Sequence, residues 1–202
     1  MFPGKSSHTD REQLNNTGGE NGGNMHTSDS PNESERLRNI ILEFTDRPKE
    51  HAISEVGIQK LVYITDVYCA VYYGKRITNT DFKRYQYGAY SEEIHEILES
   101  SEEIGRKPVI QNRVRSVEYW NRGEGDLCTE CKKITNTIKT KFRSYSEEEL
   151  AKFSKQSWLY KNSNNGHIDF SIINTDLDSE SKERIKKQFP GKVDHGCDLF
   201  EL

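Results

Sequence analysis

From residue 34 onward, apolar residues recur at helical spacing, broken by short alternating stretches. Ser34 is expected to cap a first helix, in which Leu37, Ile40, Ile41 and Phe44 fall on one face and which Pro48 ends. Ser54 opens a second helix reaching Tyr73, and Gly74 stands at its C′ position. Ile58, Leu61, Val62, Thr65, Tyr68 and Tyr72 lie on one side of it, with Ile64, Val67 and Val71 alongside. Such a wide apolar stripe predicts the most buried helix of the fold.

Residues 77–88 read as a turn with some extended chain. Ser91 is expected to cap a third helix, with Glu92 and Glu93 favoured by the dipole of its first turn and Ile94, Ile97 and Leu98 inward. The alternating, β-branched stretch 108–120 predicts one strand of a hairpin, and "NRGEG" supplies the turn after it. Cys131, Ile134, Ile138 and Phe142 have helical spacing. Ser146 and Glu149 form a capping box for a helix that turns Leu150, Phe153 and Trp158 inward. "HIDFSII" (167–173) predicts a short strand, and 179–189 a last helix broken by Pro190-Gly191. The fold class is therefore mainly α (α+β): a compact helical domain with a small hairpin or short sheet.

Residues 1–33 are rich in Asn, Gly, Ser and Thr, and too poor in apolar surface to offset the entropy of ordering the chain. They are expected to form a disordered tail, with the domain at 34–175 and a charged helix plus loose end at 176–202. Nothing resembles a membrane span or a signal-peptide core, which points to the cytoplasm. Four cysteines in 202 residues make no disulfide framework.

The net charge of −4 is mild, yet residues 106–143 hold ten basic side chains against four acids. That stretch supports an alternative reading as a nucleic-acid-binding regulator. Cys128 and Cys131 have the spacing of half a zinc site, which His195 and Cys197 would complete in a second alternative, a zinc-stabilised domain or zinc enzyme. The stronger expectation is no metal and no cofactor: Cys131 fits a helix stripe, and no histidine has a catalytic spacing. No phosphate-binding glycine loop or Gly-x-Ser-x-Gly is present.

Seven of the ten tyrosines lie between 63 and 90, three of them in "RYQYGAY" (84–90). Tyrosine offers a large contact area at modest entropic cost and is enriched in interface hot spots. "GIQKLVYITDVYCAVYYGKRIT" followed by "YQYGAYSEEIHEIL" resembles the Panacea domain, or SocA-like antitoxin family. Ile58, Lys60, Leu61, Tyr63 and Gly74 match its first motif. Tyr85, Tyr87, Gly88, Ser91, Ile94 and Leu98 match its second, with Ala89 where the family has proline. "YSEEELAKFSKQSWLYKNSNNGHIDF" is similar to its late segment, with Lys155 or Gln156 in place of a histidine before the tryptophan. The resemblance spans about 53–173. It implies a non-enzymatic module that neutralises a cognate toxin, in adaptor-type members by delivery to an ATP-dependent (AAA+) protease. A toxin–antitoxin locus or mobile element would be its setting. Lys60, Tyr63, Tyr85, Tyr87, Gly88, Tyr90 and Trp158 are the candidate partner-binding residues.

Overall fold

The computed structural model describes residues 33–111, 114–121, 123, 125–163, 166–175 and 177–193. The expected tail at 1–33 lies outside these residues but for Glu33, as do His195 and Cys197.

The long apolar helix is the axis of the fold. α2 (Glu55–Tyr73) buries fifteen of its nineteen residues. The Ser54 side chain accepts from Gly57 N at its start, and Gly74 closes it with φ 75°. α1 (Glu33–Thr45) packs along it through Leu37, Ile40, Ile41 and Phe44, with Ser34 inside the helix rather than at its cap. α3 (Glu92–Ser100), α4 (Thr129–Lys141) and α5 (Glu147–Gln156) complete the shell around it. The capping box of α5 forms as expected: Ser146 Oγ accepts from Glu149 N, and the Glu149 carboxylate accepts from Ser146 N at 2.7 Å.

Among the described residues, two antiparallel sheets flank the helices. One is a hairpin of β2 (Lys83–Tyr85) and β3 (Gly88–Tyr90). The other has the order β1-β5-β4, where β1 is Ile53–Ser54, β4 is Ile104–Gln111 and β5 is Val114–Asn121. The stretch read as one strand is thus two strands, paired from Ile104↔Asn121 to Gln111↔Val114. The chain reverses before the glycine-rich "NRGEG", at a point with no Gly or Pro to mark it.

The strand expected at 167–173 is also corrected. Only His167 bridges, to Lys83, and Ile168 N donates to Phe82 O. The Asp169 carboxylate then accepts from both Ser171 N (2.8 Å) and Ser171 Oγ (2.7 Å), turning the chain into α7 (Ile172–Thr175). Ser157 ends α5 and starts a separate α6 (Trp158–Asn162), so Trp158 is a first-turn residue, half-buried against the core. α8 (Ser179–Lys186) buries Ile185 and packs on α2.

The basic stretch 106–143 is spread over the β4–β5 hairpin and α4, where several cations meet acids. Arg106 pairs with Glu99, Lys107 with Glu118 and Lys139 with Glu43. No helix among the described residues is long and apolar enough to cross a membrane.

Candidate functional site

An all-round apolar helix that nevertheless carries Gln59, Lys60 and Asp66 must satisfy them inside the protein. Each holds a loop. Asp66 is wholly buried and accepts from Ile77 N (3.0 Å), Thr78 N (2.8 Å) and Thr78 Oγ1 (2.5 Å), with Arg76 at 3.9 Å. Burial outweighs Arg76 and these donors, pushing its carboxyl up to about 6. The Gln59 amide mimics a strand edge, donating to Ser91 O and accepting from Ser91 N, both at 2.8 Å. Ser91 stands at the start of α3 but its hydroxyl does not cap the helix; it pairs with Thr80 Oγ1 at 2.8 Å.

Lys60 and Ser154 both hold β3 through the main chain of Ala89. The Lys60 ammonium, 2% exposed, donates to Ala89 O at 2.7 Å. Ala89 N donates to Ser154 Oγ on α5 at 3.0 Å. Between them Gly88 has φ 97°, and a Cβ there would lie 3.0 Å from both Lys60 Cε and Ser154 Oγ and 3.3 Å from Ala151 O. Only glycine suits that place. Desolvation lowers the Lys60 pKa to about 8, against a raising influence of Glu55.

The other strand is held as firmly. Tyr160 Oη donates to Tyr85 O at 2.6 Å. Arg84 reaches Ser163 O at 2.9 Å, with its guanidinium over the Tyr160 ring. Tyr63, fully buried, shares a 2.6 Å hydrogen bond with Ser157 Oγ and touches Phe82 edge-on.

What this scaffold presents is aromatic. Tyr85 is 48% and Tyr87 62% exposed, the two exposed aromatic rings among the described large hydrophobic residues. The Tyr85 and Tyr90 rings lie 4.9 Å apart, and Tyr90 Oη donates to Glu92 at 3.1 Å. Desolvation and that carboxylate push the Tyr90 phenol up to about 12.

A model of the SocA-like antitoxin family, Panacea domain, matches residues 58–159. The chain belongs to that family. The Panacea match covers Lys60, Tyr63, the whole β2–β3 hairpin, Ser154 and Trp158. No curated protein and no solved structure matches the chain.

The candidate residues separate by position. Tyr85 and Tyr87 are exposed on the hairpin with Tyr90 half-buried beside them, whereas Gly88 is buried within β3 and Lys60 and Tyr63 lie beneath as support. The residues that sequence reasoning missed are Gln59, Arg84, Ser154 and Tyr160. Gln59 had a signal, a polar residue within an apolar helix; Ser154 on an amphipathic helix had none.

In the cysteine pair, Cys128 is at the surface, where its sulfur caps α4 by accepting from Cys131 N at 3.3 Å. Cys131 is buried, and burial followed by Cys128 pushes its thiol well up. Among the described residues no three His, Cys, Asp or Glu side chains are grouped to hold a metal ion.

Proposed function

We propose that this Panacea-domain protein is a non-enzymatic antitoxin that neutralises a cognate toxin by docking it on the Tyr85–Tyr87–Tyr90 surface. The observation that carries this reading is the contrast within one hairpin. Its backbone is fixed by buried donors and acceptors from α2, α5 and α6, while the Tyr85 and Tyr87 rings are left in solvent and Tyr90 is half-buried beside them. A rigid support that presents large amphipathic rings lowers the entropic cost of binding. Membership of an antitoxin family supplies the class of partner.

The finer reading includes delivery of the bound toxin to an ATP-dependent protease in the cytoplasm. One experiment tests both parts. The chain is co-expressed with each product of the adjoining reading frames, and growth rescue, co-purification and partner half-life are followed. A toxic product that is rescued and co-purified supports the antitoxin reading, and a half-life shortened by the chain supports the adaptor. Rescue without physical association overturns docking.

A further inference from the structure

The end of the described chain is bound like a peptide ligand. Residues 186–193 run across the C-terminal half of α2, where Tyr68, Tyr72 and Tyr73 address their main chain. Tyr68 Oη donates to Gly191 O and accepts from Val193 N, both at 3.0 Å. Tyr72 Oη reaches Lys186 O (3.2 Å) and Pro190 O (3.1 Å), and Tyr73 Oη donates to Val193 O (3.0 Å).

Side chains add selectivity. Phe189 is the buried anchor, 5.8 Å from both the Tyr68 ring and the Phe153 ring of α5. Lys186 stands over Tyr72 at 5.8 Å and Lys192 over Tyr73 at 5.2 Å. Gly191 and Lys192 themselves remain exposed.

Hydroxyls that read the main chain, one aromatic pocket and flanking cation–π sites together make up a peptide-recognition groove. The tyrosines and Phe153 lie inside the stretch matched by the family, and the occupant lies outside it. Beneath the occupant, α2 and α5 are already joined by the Tyr63–Ser157 hydrogen bond and through the clamped hairpin.

We propose that the cleft between α2 and α5 is a peptide-docking groove that the chain fills with its own residues 186–193. It accepts in their place a basic partner segment anchored by one phenylalanine on a helical turn, as Phe189 is held at the end of α8. The strap and such a segment compete, so the strap is an internal inhibitor of that site. This inference is independent of the tyrosine hairpin and its toxin.

The test uses the full chain and a labelled synthetic peptide of the sequence 185–193. Phe189→Ala frees the strap. The expected result is binding to Phe189→Ala at least tenfold tighter than to the wild type, with the variant's melting temperature raised toward the wild-type value. The same peptide with alanine at the phenylalanine position should do neither. If Phe189→Ala does not fold, Val193→Pro takes its place, since it removes the N–H given to Tyr68 and leaves the anchor. A folded variant that neither binds the peptide nor is stabilised by it overturns the proposal. So does concentration-dependent dimerisation by strap exchange, which would assign the groove to a second copy.

Discussion

Lys60 donates to the carbonyl of Ala89 at 2.7 Å across 29 positions of sequence, and both residues are buried. One ammonium thereby ties the axial helix to the strand that positions the tyrosines. Its pKa, about 8 against an ordinary 10.5, gives the tie a pH signature. Between those values the unfolded chain holds a proton that the folded chain has released, so folding stability rises with pH. From pH 8 to 10.5 the wild type should gain roughly 3 kcal/mol relative to Lys60→Met. Below about pH 7 the difference should be flat. Urea unfolding of both proteins across this range is the measurement, and parallel curves would refute it.

Gly88→Ala should be costly out of proportion to one methyl group. The residue sits at φ 97° with Lys60, Ser154 and Ala151 closing around it. Positive-φ strain and crowding together should cost ~2–4 kcal/mol. At this chain length that lowers the melting temperature by roughly 5–15 °C. A thermal melt within a degree of wild type would show that the hairpin is not clamped.

Asp66→Ala strands two buried backbone N–H groups and a hydroxyl, and should cost ~3 kcal/mol or more in urea unfolding. Asp66→Asn keeps an acceptor and should lose less. The wild-type carboxyl has a folded pKa near 6, above its ordinary 3.8. Its stabilising effect is complete below about pH 4 and is lost as pH rises through 6. The wild type should therefore lose stability relative to Asp66→Asn over that interval, and a constant difference would contradict the assignment.

The helices were legible because burial writes itself as period. The stripe of α2, Gly74 at its end and the Ser146–Glu149 box all stand where the spacing put them. The hairpin of β4 and β5 was half-read because its reversal carries no Gly or Pro, while a later "NRGEG" offers a false one. The strand at 167–173 was overruled locally, by the Asp169 carboxylate bonding two positions ahead. At the corner, sequence singled out the tyrosines and Gly88 but not what fixes them. Ser154, Arg84 and Tyr160 act across 65 to 79 positions, and such long-range pairings leave no periodic trace.

The central claim is that the hairpin's tyrosines bind a partner that its buried residues only hold in place. Its most direct test is Tyr85→Ala and Tyr87→Ala, measured by calorimetric titration against the toxin co-purified with the chain and by thermal melting. Each substitution should weaken binding about 10- to 100-fold, as for an interface hot spot, and move the melting temperature by less than about 2 °C. Unchanged affinity with a lowered melting temperature would make the hairpin a structural corner and nothing more.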